Sequence, residues 1–271
     1  MPSIRWRPTW LVRASILLHV LALGAMIAAP EQWRWVLGAV FGNHALLTLV
    51  GLWPRSHWLG PNWIQLPAAA AAKNEIALSI DDGPDPVVTP QVLDILDRYA
   101  AQATFFCIGE KAARYPELCR EIVRRGHAVE NHSQHHPHYF AFLGINGITR
   151  EIQAAQDTLA AITGRAPLFF RAPAGLRNPF LDPVLAKLGL RLVAWTRRGF
   201  DTRTADPETV SRGLMQGLHA GAILLLHDGN SARSASGVPV IVAVLPVLLE
   251  AAAAAGLRPV TLAAALKSAI A

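Results

Sequence analysis

At 271 residues, 52% of them hydrophobic, the chain can hold one large α/β domain plus an appendage, since α/β barrels commonly run to about 200–250 residues as single domains. Its net charge of +6 is uneven: residues 1–74 hold Arg5, Arg7, Arg13, Arg34, Arg55 and Lys73 against Glu31 alone, and the remainder is close to neutral. The basicity thus belongs to the front of the chain, where it suits anionic headgroups, and no nucleic-acid partner is expected.

Residues 14–30 and 35–53 are apolar runs without Asp, Glu, Lys or Arg, separated only by Glu31, Gln32, Trp33 and Arg34. Each approaches the roughly 20 residues that span a bilayer core. Seven of the eight tryptophans (Trp6, Trp10, Trp33, Trp35, Trp53, Trp58, Trp63) flank these runs, as aromatic belts at alternating interfaces would. A two-helix transmembrane hairpin is therefore expected over residues 1–65. A cleaved signal peptide is disfavoured, because a second apolar run follows where a polar mature start belongs. His19 and His44 fall inside the runs and could face each other, although packed or interface-facing positions are the plainer reading.

Residues 66–74 read as a short linker, and the catalytic domain as 75–271. There, strand-like runs at 76–80, 104–108, 128–129 leading into Asn131, 168–171, 190–195, 222–226 and 259–262 alternate with helical patterns at 89–100, 111–125, 149–163, 181–188, 207–219 and 238–255. This alternation predicts parallel strands with crossover helices, and seven strands fit an irregular barrel. Cys107 and Cys119 have no metal-ribbon spacing and read as two unpaired buried thiols.

Four strand ends carry chemistry. The first is Ser79-Ile80-Asp81-Asp82-Gly83-Pro84. Neighbouring strand residues face opposite ways, so Asp81 and Asp82 do different jobs unless the backbone turns; an Asx-type turn capping the next helix is the plain alternative. The second is His132-Ser133-Gln134-His135-His136. One helical turn would put His132 and His136 on one face, as paired metal ligands are. With Asp82 they make two histidines and a carboxylate with open positions, a set that suits catalytic zinc or another divalent metal; otherwise the stretch is a polar loop. The third is Arg171-Ala172-Pro173-Ala174-Gly175, where an arginine can orient a carboxylate or make an ordinary surface ion pair. The fourth is Leu224-Leu225-Leu226-His227-Asp228, with a histidine placed for acid–base work or for a structural role.

In this order and over about residues 75–265, these four motifs resemble the polysaccharide deacetylase family, carbohydrate esterase family four, which includes chitin-oligosaccharide and peptidoglycan deacetylases. The resemblance implies a distorted (β/α)7 barrel with Asp81 as general base, Asp82, His132 and His136 as metal ligands, Arg171 orienting Asp81, and His227 as general acid. The family's remaining DxxDW motif is only partly kept: aligned on Trp195, Asp201 retains the second acid, as a support for His227, while Arg198 replaces the first and Thr202 the aromatic. The expected activity is metal-dependent removal of an N-acyl group, acetyl first, from an amino sugar in a membrane-associated glycan or lipid-linked sugar. A catalytically silent, membrane-anchored sugar-binding module is the alternative. A non-haem iron oxygenase shares the ligand types but leaves Asp81, Arg171 and His227 without a task.

Arg5, Arg7, Arg13, Arg55 and Lys73 lie outside the two runs and only Arg34 between them. By the positive-inside rule this places both ends inside, giving a multi-pass protein of the inner (cytoplasmic) membrane with its catalytic domain on the cytoplasmic face.

Overall fold

The computed structural model describes residues 5–270; residues 1–4 and Ala271, the outer ends of the expected spans 1–65 and 75–271, lie outside the described residues. Helices α1 (Trp10–Ala28) and α2 (Trp33–Gly51), each of 19 residues, pack together around a 3₁₀ turn at Pro30–Gln32. Thr9 starts α1 by accepting a hydrogen bond from the Val12 amide at 3.4 Å, which satisfies one of the amides that a helix leaves unpaired at its start. His19 and His44 meet across the pair, Nε2 to Nε2 at 3.2 Å, and Asn43 Nδ2 donates to Ser15 Oγ at 2.9 Å. Among the described residues, one helix, Trp10–Ala28, is long and apolar enough to cross a membrane by length and composition. Helix α2 carries Arg34, Asn43 and His44.

The base of this hairpin is docked on the rest of the chain. Leu11, Val12, Leu47, Val50 and Leu59 form a small core of their own. Gly51 accepts from the Arg177 amide at 3.2 Å, and a Cβ at Gly51 would collide with the Arg177 carbonyl, so glycine is required at this close approach. The Trp10 ring meets Trp58 edge-on, with centroids 5.3 Å apart.

From residue 68 the order is α3 (Ala68–Ala71), β1 (Glu75–Asp81), α4 (Val88–Arg98), β2 (Ala103–Cys107), α5 (Gly109–Arg114), α6 (Pro116–Arg124), β3 (Ala128–Asn131), α7 (Ile145–Thr163), β4 (Phe169–Phe170), α8 (Leu181–Leu188), β5 (Arg191–Leu192), β6 (Arg197–Arg198), α9 (Pro207–Met215), β7 (Ile223–His227), α10 (Val240–Ala254), β8 (Arg258–Pro259) and α11 (Leu262–Ile270). The strands pair in parallel in the order β5-β4-β3-β2-β1-β7-β6, with β8 on the start of β1. The sheet is thus a curled parallel α/β layer rather than seven strands closed into a ring. Strands β5 and β6, two residues each, do not pair with each other. Residues 63–65 lie across that opening: the Trp63 amide donates to Leu192 O at 2.9 Å, Ala194 N donates to Trp63 O at 2.8 Å, and Gln65 bridges to Ala222.

The stretch expected as a linker holds α3 and contributes Leu66 and Ala70 to a core with Ala77, Phe106, Phe169, Val193 and Ile223. The larger core lies between the sheet and its outer helices. Ile76, Leu78 and Ile80 alternate along β1 to face it, and α10 meets them with Val244, Leu245 and Leu248 at helical spacing, as the two periodicities require. Truncating a fully buried leucine here, such as Leu245, would cost about 2–5 kcal/mol. The helix expected over 111–125 is two helices, because Pro116 cannot continue the ladder and its predecessor Tyr115 leaves the helical region at φ −128°. Each end of the sheet has a distinct use: α3 and α11 pack together at one, and Asp81, Asn131, Phe170 and His227 end their strands at the other.

Candidate active site

The inward residues of β1 are Ala77, Ser79 and Asp81, the partners in alternation of the outward Ile76, Leu78 and Ile80. Asp82 then adopts φ 70°, a left-handed turn that re-aims the second carboxylate toward the same centre as the first. The backbone thus turns at Asp82 itself, before Gly83. Gly83 is needed for another reason: a Cβ there would strike the Asp228 carboxylate, and one at Gly229 would strike Asp82 O, so the tips of β1 and β7 can approach only as glycines.

Asp82, His132 and His136 come together with one ligand atom from each inside 4.8 Å. Asp82 Oδ1 is 3.2 Å from His132 Nε2 and 3.3 Å from His136 Nε2. The histidine pair is not on a helix. Residues 132–136 form a loop in which Ser133 (φ 64°) and His136 (φ 50°) are left-handed. Asn131 Oδ1 accepts from the Ser133 amide at 2.9 Å and Ser133 Oγ from the His136 amide at 3.1 Å. These side-chain bonds satisfy the backbone groups that a helix would have paired within itself. His135 points away, 2.8 Å from Glu151, and the His138 ring stands perpendicular to that of His136 at 6.2 Å.

The His132 Nδ1 faces Arg171 O at 2.8 Å, a contact that makes Nδ1 a donor and turns Nε2 toward Asp82, where it would ligate an ion once it gives up its proton. This is the outer support characteristic of metal-binding imidazoles. Two imidazole nitrogens and a carboxylate oxygen, at this spacing and with a supported tautomer, could hold a divalent metal with positions to spare. Burial pushes the Asp82 carboxyl up, but the hydrogen bond and charge of His132, with His227 and His136, outweigh it and hold the group below the usual carboxylate range. Burial, followed by the charge of His132, pulls His136 down to about 4.

Arg171 lies beneath this set, 1% exposed. Its Nη1 donates to Asp81 Oδ1 at 2.7 Å and Ser79 Oγ at 2.9 Å, Nη2 to Ala194 O at 2.7 Å and Nε to Val193 O at 3.2 Å, while Phe106 packs on the guanidinium. Asp81 Oδ1 is thereby taken, and Oδ2 faces His132 Nε2 from 3.8 Å. Across the centre, His227 ends β7 with Nδ1 2.9 Å from Asp201 Oδ1, and Asp201 Oδ2 also accepts the His227 amide at 2.7 Å. Burial pulls the His227 imidazole down, but the hydrogen bond and charge of Asp201, with Asp81 and Asp82 nearby, prevail and keep its pKa above the ordinary 6.5.

Arg198 lies between Trp195 and Phe200, its guanidinium carbon 5.3 and 4.5 Å from the ring centroids, with a buried Nε that has no partner. Sequence reasoning did not single out Asn230, whose Nδ2 donates to Asp82 Oδ2 at 3.2 Å, or Lys111, whose Nζ donates to Asp82 O at 2.8 Å. It also passed over Asp228, which burial raises to about 7 despite the Thr89 hydroxyl donating to it at 2.5 Å. The available signal was proximity: Asp228 and Asn230 follow His227 directly.

A parallel α/β sheet with carboxylates, imidazoles and a buried arginine at the carboxyl ends of its strands defines a hydrolase-type centre of the kind found in α/β barrels. A family model for polysaccharide deacetylase matches residues 68–193. The chain is 34% identical over 175 residues to a peptidoglycan-N-acetylglucosamine deacetylase of Bacillus cereus, covering 64% of this chain and 81% of that protein. It is 38% identical over 165 residues to a chitooligosaccharide deacetylase of Azorhizobium caulinodans, covering 60% and 78%. The crystal structure of a peptidoglycan N-acetylglucosamine deacetylase bound to an N-oxidanyl-benzamide superposes with a TM-score of 0.68 at 26% identity, covering 75% of this chain and 91% of that one. The chain belongs to the polysaccharide deacetylase family.

Proposed function

We propose that the protein is a metal-dependent N-deacetylase of amino sugars that works at the cytoplasmic face of the inner membrane on a lipid-linked or membrane-held substrate. The observation that carries the reading is the joint placement of Asp82, His132 and His136 within one ligand sphere and of Asp81, clamped by Arg171, directly beside it. The named activities of the relatives, deacetylation of N-acetylglucosamine in peptidoglycan and of chitooligosaccharides, support the choice of an N-acetylated amino sugar.

Asp82 Oδ1, His132 Nε2 and His136 Nε2 would hold the metal, zinc being the natural choice for this donor set. When bound, such an ion lowers the pKa of water toward about 7 and polarises an amide carbonyl. The chain's own groups supply the proton transfers. Arg171 holds Asp81 Oδ1, which leaves Oδ2 to take the proton of the attacking water. Asp201 fixes His227 Nδ1, which turns Nε2 toward the departing nitrogen as proton donor. The carbon–nitrogen bond breaks, acetate leaves as carboxylate, and the sugar keeps a free amine.

The membrane part of the reading rests on the hairpin α1–α2, the tryptophans at its ends, and the excess of arginine outside the two apolar runs. Release of acetate from a panel of polymeric and lipid-linked N-acetylated amino sugars tests the whole, with Asp81→Asn as control. Release from any of them that disappears in the control is the expected result, and a panel with no release would remove the deacetylase reading.

A further inference from the structure

Arg171 and Lys111, the cations already placed at the reaction centre, each donate to an oxygen at the end of β1: Asp81 Oδ1 and Asp82 O. Arg198 donates to none; among the described residues its guanidinium has no hydrogen-bond or ion-pair partner. Pairing fixes where it points. Arg198 stands opposite Leu225 on β7, and Leu225 opposite Ser79 on β1, so the three side chains share the inner face of the sheet, one inward step before His227 and Asp81. The flanking Gly199 looks the other way, where a Cβ would meet Val210 and Leu214 of α9. The indole of Trp195 lies 5.3 Å from the Arg198 guanidinium carbon and 5.9 Å from that of Arg171. One ring therefore joins Arg198 to the arginine that clamps Asp81.

Its Nε is enclosed, which leaves the Nη edge of the fork to meet a ligand. Burial pulls the Arg198 pKa down against the charges of Asp201, Asp81 and Asp82: the cation has lost part of its water and gained no partner for it. The nearby acids are engaged elsewhere, Asp81 by Arg171, Asp201 by His227, and Asp82 beside two histidines. Phe200, on the other side of the guanidinium, is held at φ 59° with its side chain 51% exposed. A left-handed backbone is strained for a bulky aromatic, and an exposed ring gains little burial to offset it; such strain gathers at ligand clamps. The position is also the one where the DxxDW pattern has its first acid, so the charge presented here is inverted, a change that turns repulsion of an anion into attraction. We propose that Arg198 receives a carboxylate carried by the substrate through its Nη edge, so that the protein selects an acidic N-acetylated amino sugar over a neutral one. This rests on the deacetylase reading and adds to it the charge of the sugar.

The test uses the full chain in lipid nanodiscs and disaccharides of N-acetylglucosamine that carry a carboxylate either at C6 or on an O3 ether. Each is measured beside its methyl ester, which keeps the shape and loses the charge. A hydrogen bond between charged groups gives the better acid an advantage in kcat/KM of about ten- to a hundredfold over its ester, carried by KM and shrinking with added salt. Arg198→Gln brings that ratio toward one and Arg198→Asp takes it below one, while Arg198→Lys, which keeps the charge without the fork, lies between. Calorimetry supplies a readout without turnover: the acid binds Asp81→Asn about tenfold or more tighter than it binds the same variant with Arg198→Gln added. Should Arg198→Gln fail to fold, the ratios in wild type and in Arg198→Lys decide. The proposal is overturned if neither acid is preferred over its ester, if the preference survives in folded Arg198→Gln, or if a 6-phosphate disaccharide outdoes both acids, which would assign the position to a phosphate. Acetate release from acids and esters alike would overturn this proposal while leaving the deacetylase reading in place; release from none of the disaccharides, nor from a chitooligosaccharide, would remove both.

Discussion

Arg171 Nη1 and Asp81 Oδ1 lie 2.7 Å apart with both side chains in the interior, and the same guanidinium also holds the backbone carbonyls of Val193 and Ala194, just past β5 at the edge of the sheet opening. Arg171→Met leaves Asp81 buried without its counter-charge, a loss of about 3–5 kcal/mol for a buried pair broken on one side. Urea unfolding should show the midpoint falling accordingly. Arg171→Lys keeps the charge but loses the fork, so it should recover part of the stability and little of the activity. A midpoint unchanged in Arg171→Met would mean that the pair contributes nothing to folding.

Metal content and turnover should separate by residue. His132→Ala and His136→Ala each remove one of three candidate ligands, so bound zinc, measured by elemental analysis, falls with activity. Asp81→Asn retains zinc and loses about 10²–10⁴ in rate, the usual size of a general-base contribution. Full zinc occupancy in both histidine variants would show that the ion, if present, is held elsewhere.

The acid arm has a defined pH dependence. The folded pKa of His227 lies above the ordinary 6.5, so the imidazolium needed as proton donor persists above pH 6.5 and is lost as pH rises through the folded value. Activity should therefore have an alkaline limb above pH 6.5. Stability from the His227–Asp201 pair is complete below the unfolded pKa and declines across the same interval. Asp201→Asn removes the support, and the limb should move to lower pH, read as kcat/KM against pH. A limb at the same pH in that variant would detach Asp201 from the proton donor.

Much of this centre was legible because strand ends declare themselves in sequence: an apolar run stops, a glycine or proline follows, and the residue in between is aimed at the carboxyl edge of the sheet. Asp81, Arg171 and His227 were found in this way. The geometry of His132 and His136 was not, since a helical turn and a loop with two left-handed residues both bring positions four apart together, and only the Asn131 and Ser133 side-chain bonds distinguish them. Strand β6, Arg197–Arg198, has no hydrophobic signal at all. Its place is set by tertiary pairing to Leu224 and Leu225.

Topology can be read directly. With five of six front-end cations outside the two apolar runs, a fluorescent protein fused to the C-terminus should fluoresce, and an alkaline phosphatase fused there should stay inactive. The opposite pair of results would place the centre outside the cytoplasm and make wall glycan the first substrate to try.

The way residues 63–65 lie across the sheet opening governs how the reaction centre is mounted. Trp63 pairs with Leu192 and Ala194, Leu66 with Gly221, and the Trp63 ring stacks edge-on against Phe169 at 5.2 Å, so the segment that arrives from the hairpin is itself one of the staves. A tether of this kind has no swivel. A chain started at Glu75 would leave these carbonyls and amides unpaired along an apolar slit, which favours aggregation over a free-standing enzyme. With the hairpin in lipid as proposed, the centre rides at a set depth and scans a plane instead of a volume, and delivery depends on the lateral diffusion of whatever carries the sugar.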